Sequence, residues 1–219
     1  MALVTDWDTD TAQSNSTVSI QYHTSTPLAG NRSVRFNVTT GGSIGTKGAG
    51  AIYLLEPTHD RGHVMGRLQT LMRVDSDVIG SGIFFLASQD VGIAGAGSCY
   101  YFGPGGSVNI LNLYKVNSGL FDDTPTLLDT TGINVGASPT STFAIEVEWK
   151  ANVSIFGGTS IICRYGATLG SMTDVLEFVD ESSPLVTSSA EGLFAFRSGI
   201  ATVGQVIYDD TSLFSITLV

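Results

Sequence analysis

The chain has 219 residues, 42% of them hydrophobic, which is enough apolar material for a sizeable core and too much for a disordered polymer. Only 14% are charged, against roughly 25% in an average soluble domain, and lysine stands only at Lys47, Lys115 and Lys150. The net charge of −10 excludes the basic footprint that nucleic-acid binding needs, and no run approaches the roughly 18 apolar residues of a membrane-spanning helix.

The N-terminal stretch "MALVTDWDTDTAQSNSTVS" lacks the basic start and apolar centre of a signal peptide, so export by that route is not expected. Residues 1–15 are a candidate N-terminal arm. The Asn-x-Ser/Thr triplets at Asn15, Asn31, Asn37 and Asn152 then read as polar turn material rather than glycosylation sites. From "TVSIQYH" onward the dominant period is two. "RSVRFNVT" sets Val34, Phe36 and Val38 on one side and Arg35 and Asn37 on the other.

"AIYLLE" follows, then "HVMGRLQTLMRV", "GIFFLAS", "CYYFG", "SVNILNLYKV" and "TLLDTT". "FAIEVEWK" alternates most cleanly, with Phe143, Ile145, Val147 and Trp149 facing one way and Glu146, Glu148 and Lys150 the other. "SIICRYG", "VLEFVD", "GLFAFR", "ATVGQVIY" and "SLFSITLV" complete the series, the last with Phe214, Ile216 and Leu218 on one face. "SMTDVLEF" is long enough for a helical turn or two, but strand is the better reading. The separators, such as "TTGGSIGTKGAG", "VGIAGAG", "GPGG" and "LFDDTP", are turn-forming. About fourteen short antiparallel strands without a linker or internal repeat predict one all-β domain over residues 1–219, a β-sandwich. Cys99 and Cys163 sit in apolar stretches and are expected as free, buried thiols.

From about residue 45 to the end, the order and texture of these strands resemble the concanavalin A-like lectin/glucanase superfamily, particularly its laminin-G-like jelly rolls. "TFAIEVEWK" with "SIICRYG" looks like the Trp-bearing strand and its partner. The closing "GLFAFRSGIATVGQVIYDDTSLFSITL" looks like the superfamily's apolar strand, Gly-containing connection and aromatic-Asp-Asp step into a last strand. The resemblance implies a jelly roll; it assigns no activity, because one sandwich supports many.

Four groups of residues are candidates for chemistry. Glu146 and Glu148, two apart on a strand, set their carboxylates about 6–7 Å apart on one face, near the spacing of retaining glycosidases. The superfamily's glucanases carry Glu-x-Asp-x-x-Glu. Here the second acid is Glu148 and the third position holds Ala151, so no catalytic residue is assigned. His59 and His63 have a zinc spacing only on a helix, and in an extended chain they lie roughly 13 Å apart, so no metal is assigned to them.

Asp209 and Asp210 read as a turn before the final strand. Their adjacent carboxylates are weak calcium candidates, because calcium takes six to eight oxygen ligands. Tyr100, Tyr101, Phe102 and Tyr114 could form a sugar-stacking surface. Alternation turns Tyr101 away from Tyr100 and Phe102, so Tyr101 and Tyr114 remain as glycan candidates.

The low charge density and scarce lysine are similar to the texture of tailed-phage virion proteins, whose contacts avoid the entropy cost of ordering lysine. The expectation is therefore a non-enzymatic virion structural protein without cofactor, a capsid decoration (cement) or tail-associated subunit. It would assemble in the host cytoplasm, contact other virion proteins and self-associate as a homo-oligomer. A carbohydrate-binding, lectin-like module of a tail appendage, or a free lectin, is the alternative. A glycoside hydrolase of the glucanase type comes third.

Overall fold

The computed structural model describes residues 2–3, 6–14, 16–23, 28, 33–40, 47–55, 63–74, 80–88, 97–105, 110–117, 125–135, 141–152, 157–198 and 203–215. Its strands in chain order are β1 (Ala2–Leu3), β2 (Asp6–Ser14), β3 (Ser16–His23), β4 (Ser33–Thr40), β5 (Lys47–Leu55), β6 (Met65–Val74), β7 (Ser81–Ala87) and β8 (Cys99–Gly105). They continue as β9 (Ile110–Val116), β10 (Thr126–Asn134), β11 (Thr142–Lys150), β12 (Thr159–Gly166), β13 (Thr173–Asp180), β14 (Ala190–Ser198) and β15 (Val203–Ser215). A 3-10 turn, Leu169–Ser171, precedes β13, so the ambiguous "SMTDVLEF" stretch is strand with a helical turn only at its entry.

Two antiparallel sheets make a sandwich. One runs β13-β12-β11-β6-β15-β4-β3 with β1 attached to β15, and the other runs β10-β9-β8-β7-β14-β5-β2. The sheets are called A and B below. Residues 6–14, expected as part of an arm, instead form β2 and pair with β5 at the edge of sheet B. Their polar run carries no apolar alternation, and the backbone ladder with β5 is what makes the strand.

The main core lies between the sheets. Sheet A contributes Phe36, Leu68, Met72, Ile145, Val147, Trp149 and Tyr208; sheet B contributes Ile83, Phe85, Tyr100, Phe102, Leu111, Leu113 and Leu193. Phe85 stacks on Trp149 across the gap at 5.2 Å between ring centroids. Gly66 sits beneath that indole: a Cβ there would meet Trp149 Cζ2 at 2.6 Å, so only glycine fits. Tyr208 bridges the sheets, receiving the Gly82 N–H at 2.7 Å and donating its hydroxyl to the Phe194 carbonyl at 2.5 Å.

The aromatic-Asp-Asp step is a β-bulge inside one continuous strand rather than a turn before a new one. The four residues of β15 from Asp209 to Ser212 are matched by three of β6, from Leu71 to Gln69. Asp210 takes a left-handed φ of 46° there. The extra residue changes the phase of alternation. Leu213 therefore enters the core, and Phe214 turns outward under the Arg67 guanidinium, 4.2 Å from the ring centre. Phe214 was expected on the apolar face; Ile216 and Leu218 lie outside the described residues.

Candidate functional site

On the side of sheet B away from the main core, β8 alternation presents Cys99, Tyr101, Gly103 and Gly105, and β9 presents Val116, Tyr114, Asn112 and Ile110 in register with them. Phe84 of β7 pairs with Tyr101, and Leu127 of β10 pairs with Tyr114. One cross-strand row thus reads Phe84, Tyr101, Tyr114, Leu127. Exposure rises along it from 0% at Phe84 and 8% at Tyr101, through a half-buried Tyr114, to 51% at Leu127.

The rings of Tyr101 and Tyr114 stack with centroids 4.8 Å apart and planes inclined by 29°. Phe194 of β14 meets Tyr101 edge-on at 4.9 Å. The Asn112 amide donates to the Tyr114 hydroxyl at 3.1 Å. Burial pushes the Tyr114 phenol up, the Asn112 bond only partly opposing it, so the group is neutral at physiological pH.

Sequence alternation separated Tyr101 from Tyr100 and Phe102, and the structure brings Tyr101 and Tyr114 together. Phe84, Asn112 and Leu127 carry no signal of a site in the sequence alone. Asn112 and Tyr114 are two apart in "NILNLYKV" and share a face by period alone, whereas Phe84 and Leu127 join only through strand order and register. "YFGPGG", expected as a turn after Phe102, is strand as far as Gly105.

The carboxylate pair lies on the outer side of sheet A. Arg164, opposite Glu146 on β12, binds Glu146 through Nη1, Glu148 through Nη2 at 3.2 Å and Asp174 through Nε at 2.5 Å. Burial tends to raise the Glu148 carboxyl, but its bonds to Lys150 and Arg164 outweigh this and hold it below the ordinary range. Both oxygens of Glu146 and both of Glu148 face a guanidinium or ammonium group, Arg164 taking one of each, Arg67 the second of Glu146 at 3.6 Å and Lys150 the second of Glu148 at 2.8 Å. Glu146, on the face of β11 opposite its apolar row, is nevertheless buried, at 3% exposure.

His63 is bonded to the buried Glu191 of β14: its backbone N–H donates to Oε2 at 3.0 Å and its Nδ1 lies 2.5 Å from Oε1. His59 lies outside the described residues. Asp209 accepts from Ser33 Oγ at 2.7 Å and from the Asp210 N–H at 2.8 Å, which accounts for both of its oxygens. Burial, and then the neighbouring Asp209, raise the Asp210 carboxyl. Among the described residues no group of three or more His, Cys, Asp or Glu is placed to hold a metal ion, so the two aspartates have no third acidic ligand there.

No protein-family model and no curated protein matches the chain. Solved structures do. The Ca2+/Man3GlcNAc-bound exoplasmic/lumenal domain of VIP36 aligns with a TM-score of 0.53 at 11% identity, over 97% of this chain and 84% of that one. A PL-14 alginate lyase from the marine Aplysia kurodai aligns with a TM-score of 0.54 at 10% identity, over 90% and 87%. The likeness is one of fold: this chain is a jelly-roll β-sandwich.

Proposed function

We propose that this chain is a carbohydrate-binding β-sandwich that holds its ligand without cleaving it, with the contact at the half-buried Tyr114, which the buried Tyr101 and Asn112 hold in place. The observation that carries the reading is the stacked tyrosine pair on the outer side of sheet B, bonded to a side-chain amide. A pyranose offers a face of C–H groups that suits the negative face of an aromatic ring. The names of the two fold neighbours, one Man3GlcNAc-bound and the other an alginate lyase, point to the same class of ligand. Against turnover stands the state of Glu146 and Glu148: an acid–base or nucleophilic role needs a carboxylate aimed at substrate, and these are clamped by Arg164.

The virion-subunit expectation rests on sparse charge and three lysines, with no residue-level feature behind it. A glycan array with the wild type and Tyr114→Ala tests the proposal. Binding is expected for the wild type and its loss for the variant, with melting checked in both. Incubation with the bound glycan should release no new reducing ends. Release that disappears in Glu146→Gln would move the protein to the hydrolase class.

A further inference from the structure

We infer that the side of Tyr114 facing β10 takes a neutral sugar chain at the edge of sheet B and rejects polyuronates. This rests on the carbohydrate reading and adds to it the position and the charge class of the ligand.

Position follows from the stack. A ring has two faces, and Tyr101, on β8, lies against one face of Tyr114 at 4.8 Å. The opposite face therefore turns toward β10. The ring also leans along the strands, because a Cβ on Gly105 would lie 3.5 Å from Tyr114 Cε2 and the Tyr114 hydroxyl sits on the Asn112 amide. Across from Tyr114 and Asn112 on β10 stand Leu127 and Thr130, both exposed. A pyranose laid there meets a ring face, an exposed apolar side chain and the Thr130 hydroxyl, while the buried Asn112 amide holds the Tyr114 ring in place. It enters from the side, since β10 is the last strand of its sheet.

Charge class follows from the side chains on the same surface. Tyr101, Asn112, Tyr114, Leu127 and Thr130 are all uncharged. The only cation on β9, Lys115, is buried, turns to the opposite side and is bonded to Asp180 at 2.8 Å and to the Ser183 carbonyl. A uronate carboxylate over Tyr114 would shed water without gaining an ionic partner from these residues, and it would approach a protein of net charge −10. Neutral hydroxyls carry neither penalty.

Affinity electrophoresis through gels containing mannan, β-glucan or starch, against gels containing alginate or polygalacturonate, tests this at low ionic strength. Retardation is expected in at least one neutral gel and in neither acidic gel. Leu127→Ala should weaken the neutral interaction at least about threefold through lost apolar contact. Leu127 is half exposed, so this change leaves the fold intact. Leu127→Lys should create salt-sensitive retardation by alginate where the wild type shows none. Wild-type retardation by alginate equal to that by a neutral polymer would overturn the charge class and leave the carbohydrate reading standing. An unchanged Leu127→Ala beside a dead Tyr114→Ala would overturn the position. No retardation by any polymer would remove the carbohydrate reading itself, and this inference with it.

Discussion

Asp180, the last residue of β13, ties the edge of sheet A to sheet B. Its Oδ2 receives the Tyr100 hydroxyl at 2.7 Å and Lys115 Nζ at 2.8 Å, while Oδ1 receives the backbone N–H groups of Ser182 and Ser183. Burial works to raise its pKa, yet the Lys115 and Tyr100 bonds prevail and lower it from 3.8 to about 2. A carboxyl whose folded pKa lies below its unfolded one adds stability above the unfolded value. That stability is lost as pH falls through the folded value. The contribution, on the order of 2 kcal/mol, should therefore be complete above about pH 4 and gone near pH 2. Urea unfolding between pH 5 and pH 2 should show this decline in the wild type and a shallower one in Asp180→Asn. At pH 7 that variant should be less stable by about 2–3 kcal/mol. This is below the full cost of stranding a buried charge, because Lys115 keeps 11% side-chain exposure. None of this was legible in "VLEFVD" or "NLYKV", since nothing local says that Lys115 and Asp180, on opposite sheets, will meet.

At the scale of the element, the bulge in β15 decides which side chains of the last strand reach the core. Asp210 holds its left-handed φ of 46° without the freedom of glycine. Asp210→Gly should match or exceed wild-type stability by up to about 1 kcal/mol, and Asp210→Val should lose about 1–2 kcal/mol, because a branched Cβ suffers most at positive φ. Deleting Asp210 should remove the bulge while keeping Leu213 opposite Leu68 and Phe214 opposite Arg67, so its cost should stay local to the hydrogen bonds of Thr70 with the Asp209 carbonyl and Thr211. Denaturant midpoints of the three variants measure the order. Alternation made β6, β11 and β12 legible, because each keeps one phase over its whole length. It failed at β15, where one inserted residue inverts the phase, and at β2, whose residues have no apolar period. The edge strand β10 shows a further local device. The Thr130 N–H goes to Asp129 Oδ1 at 2.7 Å, the Gly132 N–H to Thr130 Oγ1 at 3.4 Å and the Ile133 N–H to Thr131 Oγ1 at 3.0 Å. Donors engaged inside the strand are not offered to another chain, which disfavours self-association through this edge.

At the scale of the whole molecule, the two cysteines report on global opening. Cys163 lies in the core between the sheets and Cys99 in the apolar cluster on the outer side of sheet B, and both are free and buried. Burial pushes both thiols well up, so the reactive thiolate is scarce in the folded protein. A thiol reagent at pH 8 should label neither residue quickly in buffer and both after unfolding in guanidinium. Labelling should rise along the same transition as the spectroscopic signal. Fast labelling of one cysteine in buffer would show that its cluster opens independently of the sandwich.

The sequence by itself determined what depends on near neighbours in the chain: the strands that keep a period of two, the inward row of Phe143, Ile145, Val147 and Trp149, and the opposite facing of Tyr100 and Tyr101. These follow from the pleat, which sends adjacent side chains to opposite sides whatever the strand pairs with. Only the tertiary structure decided which strands lie side by side, and so which outward residues become a site. The row Phe84, Tyr101, Tyr114, Leu127 draws on four strands, and the Arg164 clamp on Glu146 and Glu148 joins two. Register is a long-range property, set when the sheets close over their shared core, and a one-residue slip in any of these pairings would scatter the row over both sides of the sheet.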